Sequence, residues 1–297
     1  MIQPKHLLPG DTIAITATAR KISRAELQPA LEWIESQGWK WELAPQIEAI
    51  DHQFAGTDEE RAAALQWCLD HPSAKAIWCA RGGYGTARII DSLNWDSFIS
   101  QPKWIVGYSD ITALHGEVQR KGIQSIHATM PISVSSNSKE AMATLHAALT
   151  GSPTPFAVES HALNQKGRAS GKLIGGNLSV LYSTLGSTSQ PPLKGNVLFL
   201  EDLDEYLYHI DRMLLNLSRN DWWKEVAGVV IGGMTDMNDN TVPFGETAEE
   251  IIARHLSNYS IPVAFGFPVG HLDDNRALPL GSEVEIIVDG KSARLIF

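Results

Sequence analysis

KWIVGYSDITALHGEVQRKG, residues 103–122, passes from an apolar, β-branched run into a helix-spaced one with almost no loop between them. KWIVGYS reads as a buried strand and DITALHGEVQRKG as a helix. Ser109 stands at the sharp turn between the two. The same strand-to-helix pattern recurs on the N-terminal side. AKAIWCA (74–80) is a short apolar strand, and RGGYG leads from it into the helix TARIIDSL. TIAITAT (12–18) is a β-branched strand. It precedes SRAELQPALEWIESQG, whose Leu27, Leu31 and Ile34 keep helical spacing and whose Gly38 is a stop signal. WKWELAP is a further strand, and DEERAAALQWCLDHP is a helix with an acidic start that ends at Pro72. Strands alternating with helices predict a parallel sheet in an α/β layer fold.

The pattern weakens near residues 133–170, where SVSSNSKE is polar and GSPTPFAVESHALNQKGRASG is rich in turn formers. The expected division is an N-terminal α/β domain over 1–133, a connection over 134–166 and a second domain over 167–297. The second domain is expected to have shorter, partly antiparallel strands with helices between them. Asp289-Gly290 marks a hairpin close to its end.

The chain has 297 residues, 43% of them hydrophobic and 20% charged, enough to build a sizeable core without metals or disulfides. A net charge of -10 argues against nucleic acid or an anionic membrane as partner. Cys68 and Cys79, the two cysteines, read as buried thiols in a reducing compartment. No apolar run approaches the ~20 residues of a membrane span, and the N-terminus does not resemble a secretory signal. A cytoplasmic location is expected.

Four places carry chemistry-bearing residues. Ser109 in G-Y-S-D fits a nucleophile elbow, in which a tight turn lifts the hydroxyl and aims a helix N-terminus at a developing oxyanion. Ile111 stands where G-x-S-x-G has its second glycine, and a serine there is equally a good helix cap. The glycine turn Arg81–Gly85 suits close approach of backbone amides to an anion. It matches neither the dinucleotide fingerprint nor a Walker loop. Glu201 ends the apolar strand of NVLFLED; with Asp202, Asp204 and Glu205 it reads as a site acid, a metal cluster or a solvated helix start. His271 follows Gly270 in a strand-end context, with His115 and His127 as further candidates. An activated hydroxyl needs a base to take its proton and a carboxylate to hold the base's tautomer, and the order serine, acid, base matches one seen in α/β hydrolases.

Five blocks, RGGYGTARIID, PKWIVGYSDITALH, GGNLSVLYSTLGS, LFLEDLDEYLYHIDRML and GFPVGHLDDNRALPLG, run in order through nearly the whole chain. In these blocks the sequence resembles the murein LD-carboxypeptidase family of serine peptidases, whose scaffold the microcin C immunity peptidases share. The resemblance implies a flavodoxin-like parallel-sheet N-terminal domain and a smaller β-rich α/β C-terminal domain, with the active site at their interface. It implies Ser109 as nucleophile, Glu201 as triad acid and His271 as triad base. It further implies an oxyanion hole formed by the backbone amides of Asp110 and Gly83, with Gly82 as the other choice for the second amide. The implied reaction releases the terminal D-alanine of a murein tetrapeptide, without metal or cofactor, in a homodimer. Arg81, Arg276 and Asn275 are candidates for binding the terminal carboxylate. The rival substrate is an aspartyl-nucleotide or similar acyl-adenylate analogue, for which Trp222 and Trp223 could provide stacking surfaces. A non-catalytic module on this scaffold would have lost a triad residue, and a glutaminase-like amidase would carry cysteine at position 109.

Overall fold

The computed structural model describes residues 1–297. A six-stranded sheet runs in the order Leu278–Leu280, Ser125–His127, Trp104–Gly107, Ala74–Cys79, Thr12–Thr16, Lys40–Leu43. The five N-terminal strands are parallel. Their order is the flavodoxin-like one, reversing direction beside Thr12–Thr16, so loops at the carboxyl ends part there and leave a crevice. Alternate strand residues feed opposite faces. Ile13, Ile15 and Trp78 pack with Leu27, Leu31 and Ile34, while Ala14, Ile77 and Ile105 pack with Leu65, Leu69, Leu114 and Val118. Burial on both faces explains why these strands read as continuous apolar runs. The flanking helices Arg24–Ser36 and Asp58–Asp70 begin in capping boxes, Ser23 with Glu26 and Thr57 with Glu60.

Two segments join this first layer from outside residues 1–133. Helix Lys139–Leu149 lies within the stretch expected to be a connection, yet Met142, Leu145, Ala148 and Leu149 are part of the first core. Strand Leu278–Leu280 returns from near the C-terminus to pair antiparallel with Ser125–His127. It covers an edge that would otherwise present unpaired backbone groups.

The second sheet has seven strands, ordered Val263–Ala264, Gly228–Thr235, Val197–Leu203, Gly167–Asn177, Glu283–Val288, Ser292–Ile296, Phe156–Glu159. Its first four strands are parallel and the remainder antiparallel. The expectation of shorter strands does not hold throughout, because Gly167–Asn177 has 11 residues, more than any strand of the first sheet. It spans that length because its inner half pairs with Val197–Leu203 and its outer half with Glu283–Val288. Helices Leu178–Ser183, Leu207–Arg219 and Ala248–Leu256 cover one face through Leu181, Ile210, Leu214, Ile251 and Ile252. On the other face Phe199 and Val230 pack with Ile286, Leu295 and the returning Leu278. Trp222 and Trp223 are buried in the helix-side core. No helix is long and apolar enough to cross a membrane.

Candidate active site

Strand Trp104–Gly107 ends at an extended Tyr108, and Ser109 then turns to φ 64° before helix Thr112–Arg120 begins. A left-handed backbone at a non-glycine residue costs about 1–3 kcal/mol and persists only where its surroundings enforce it. His115, one turn into the helix, supplies part of that enforcement. Its Nε2–H donates to the Gly107 carbonyl at 2.9 Å, and its Nδ1 accepts from the Ser125 hydroxyl at 2.8 Å. Burial keeps this imidazole neutral, with a pKa lowered to about 4. Asp110 supplies more, since its buried carboxylate accepts from the Thr86 amide at 2.9 Å and ties the elbow to the glycine turn. Burial raises the Asp110 pKa against the lowering pull of Thr86. The Ser109 hydroxyl makes no capping bond; it lies 3.2 Å from His271 Nε2.

Glu201 is fully buried near the end of strand Val197–Leu203. Its Oε2 accepts from His271 Nδ1 at 2.7 Å and from the His271 backbone amide at 3.2 Å. With Nδ1 donating, Nε2 is the free acceptor and faces Ser109. Burial alone would lower the His271 pKa, but the Glu201 carboxylate outweighs it by charge and hydrogen bond and raises the pKa above the ordinary histidine value. The close packing of this pair depends on Gly270. At φ 107°, a Cβ there would stand 2.6 Å from Glu201 Oε2 and 2.7 Å from Glu201 Cβ. Asn275 fixes Gly270 from behind, accepting its amide proton at 2.8 Å. The Tyr108 ring meets the imidazole edge-on, with centroids 4.9 Å apart.

The hydroxyl and imidazole open on a cleft of about 570 Å³. The first layer lines it with Arg20, Arg81, Gly82 and Gly83, and the second with Asn177, Ser179, Asp202, Asp204 and Glu205. Gly82 lies closest to the nucleophile candidate, since a Cβ on it would be 3.1 Å from Ser109 Cβ and 3.3 Å from Ser109 Oγ. The acids of EDLDE separate to different partners. Asp202 accepts from Asn177 Nδ2 at 2.8 Å and from the Ser179 amide at 2.9 Å. Asp204 accepts from Asn238 at 2.7 Å, and Glu205 pairs with His209 at 2.5 Å. Burial, reinforced by Glu201, lifts the Asp202 pKa to about 7.

The structure thus brings together Ser109, Asp110, Gly82, Gly83, Glu201 and His271. It does not bring the other two histidines to the cleft. His115 is inside the first layer, and His127 is fully buried against Phe199, with ring centroids 5.0 Å apart. Arg276 turns to Asp274 at 2.9 Å, and Asn275 is committed to Gly270. Arg81 lines the cleft but has Glu26 3.5 Å away. Arg20, Tyr108 and Asn177 were not singled out from the sequence, and Asp202 was read only as one member of the acidic cluster. Arg20 had one signal, its place just past the end of an apolar strand.

A hydroxyl on a strained elbow, backed by an imidazole and a buried carboxylate at the junction of two α/β sheets, is the arrangement expected of a serine peptidase. The chain belongs to the LD-carboxypeptidase family: residues 13–128 match the model of the family's N-terminal domain and residues 170–286 that of its C-terminal domain. It is 30% identical to the murein tetrapeptide carboxypeptidase of Pseudomonas aeruginosa, over 95% of this chain and 94% of that one. It is 26% identical to the microcin C7 self-immunity protein of Escherichia coli, over 98% and 96% of the two chains. Among solved structures, muramoyltetrapeptide carboxypeptidase from Oxalobacter formigenes superposes with a TM-score of 0.87 at 27% identity, covering 96% of this chain and 97% of that one.

Proposed function

We propose that this carboxypeptidase hydrolyses the LD peptide bond of murein tetrapeptides through a Ser109–His271–Glu201 triad, releasing the terminal D-alanine. The observation that carries the reading is the relay of 3.2 Å from Ser109 Oγ to His271 Nε2 and 2.7 Å from His271 Nδ1 to Glu201. His271 takes the Ser109 proton as the hydroxyl oxygen attacks the carbonyl carbon of the diamino-acid residue. The amides of Asp110 and Gly83, or Gly82 in place of Gly83, stabilise the tetrahedral oxyanion. The imidazolium, held by Glu201, gives its proton to the departing D-alanine amine, and water then cleaves the acyl-enzyme by the same route in reverse. The unit 1–133 supplies the nucleophile and the unit 167–297 the Glu–His pair. The reading includes a cytoplasmic homodimer acting in murein recycling; it is supported by the family resemblance and, for the reducing compartment, by the free thiols of Cys68 and Cys79.

The test is mass spectrometry of the purified protein with murein tetrapeptide, beside Ser109→Ala. The wild type is expected to remove one alanine, and Ser109→Ala to lose at least ~10⁴-fold in rate. Equal release by both would refute Ser109 as the nucleophile. Release by neither would refute the substrate. The alternative substrate, an acyl-adenylate analogue, finds no stacking surface in Trp222 and Trp223, which are 0% and 1% exposed.

A further inference from the structure

The cleft contains two arginines, and they differ in how they are committed. Arg81 has the Glu26 carboxylate 3.5 Å away and donates to the Lys21 carbonyl. Arg20 forms no ion pair with any carboxylate, and its side chain is exposed in the cleft. Its backbone, in contrast, is held: Arg20 bridges antiparallel to Phe54, and the Ala55 amide donates to the Ala19 carbonyl at 3.0 Å. The side chain lies across the glycine turn, where a Cβ on Gly83 would come within 2.7 Å of Arg20 Cδ and Nε. Gly82, the preceding residue, gives the same close room to Ser109. Ser109 and the Arg20 side chain therefore rest against consecutive residues of one turn.

We propose that Arg20 is the specificity residue that binds the free carboxylate of the substrate's C-terminal residue. This inference rests on the carboxypeptidase reading above. In a peptide the carboxylate lies one residue beyond the scissile carbonyl, about 3.3–3.6 Å further along an extended chain. Gly82 stands against Ser109 and the next residue, Gly83, against the Arg20 side chain, so the arginine and the nucleophile share one turn of the cleft. The guanidinium presents a planar fork suited to two parallel bonds with a carboxylate. The second layer adds Asp204 and Glu205 to the lining. Their carboxylates repel an anion, so the charge distribution directs the substrate carboxylate to Arg20.

The test compares murein tetrapeptide with its C-terminal carboxamide, measuring release of D-alanine or D-alaninamide by mass spectrometry for wild type, Arg20→Gln and Arg20→Lys. The wild type is expected to favour the free acid by about 100-fold. Loss of a charge-assisted contact should lower kcat/KM on the acid by about 10–100-fold in Arg20→Gln, chiefly through KM. The carboxamide rate should stay within about threefold, which also shows that the variant is folded. Arg20→Lys should recover part of the preference, since it keeps the charge but not the fork. An unchanged acid-to-amide preference in Arg20→Gln, or equal losses on both substrates, would overturn the anchor and leave the carboxypeptidase reading standing. A wild type inactive on both substrates would overturn that reading and the anchor with it.

Discussion

Gly270→Ala should disable the enzyme from a position that does not line the cleft. Two costs add at this residue. The first is backbone strain, since φ 107° is a conformation that side chains rarely adopt, at roughly 1–3 kcal/mol. The second is steric, because the new methyl would sit 2.6–2.8 Å from the Oε2, Cβ and Cγ atoms of a fully buried Glu201. Overpacking of this kind costs about 1–3 kcal/mol. The expected destabilisation is therefore about 2–6 kcal/mol. Relief requires Glu201 or the His271 backbone to move, and a displacement near 1 Å in a catalytic constellation costs about 100-fold in kcat. Gly266→Ala is the control, since Gly266 has φ 83° with nothing within 4 Å of an added Cβ. It should lose the strain contribution alone and keep its activity. The assay is a pair of urea unfolding curves for the two variants, with D-alanine release measured on the same preparations. If Gly270→Ala is no less stable than Gly266→Ala and retains kcat within threefold, the packing of Gly270 on Glu201 does not hold the triad.

Two more predictions concern titrating groups. The acid limb of the kcat/KM profile should lie above the ordinary histidine pKa of about 6.5, because the Glu201 carboxylate holds the His271 proton on. Glu201→Gln removes that charge; it should move the limb to lower pH and lower the plateau by about 10³–10⁴-fold, and a limb that stays in place would contradict the assignment. His115 is neutral in the fold, with a pKa of about 4, and protonates more readily when unfolded, so its contribution is lost as pH falls from about 6.5 to 4. The stability difference between wild type and His115→Gln, followed by urea unfolding, should therefore shrink by about 3 kcal/mol over that range; a difference independent of pH would mean that the ring is not held neutral.

Several strands and helices of the first layer were legible because each carries its own local signal, whereas the short Ser125–His127 and Asp96–Ser100 were not read. Thr12–Thr16 and Trp104–Gly107 are β-branched or apolar runs, and Arg24–Ser36 and Asp58–Asp70 open on capping boxes. Helix Lys139–Leu149 was missed although Met142, Leu145 and Leu149 keep helical spacing, because serine- and turn-rich segments on both sides masked an 11-residue element. Leu278–Leu280 has three residues, and only pairing with Ser125–His127 makes it a strand. In the site, a turn at Ser109 could be read from the junction of strand and helix. The role of its hydroxyl could not, since a serine at a helix start serves equally well as a cap.

The sequence by itself determined the α/β character and the sharp turn that presents Ser109, and the family blocks raised the expectation that Ser109, Glu201 and His271 act together. Backbone preference and hydrophobic period are local properties, so they can be read within a window of a few residues. Only the tertiary structure decided that His271 meets Ser109 across 162 positions and Glu201 across 70, that Gly270 must lack a side chain, and that Arg20 alone of the cleft's cations is unpaired. These are contacts between residues far apart in the chain, set by how loops and layers pack, and no local pattern encodes them.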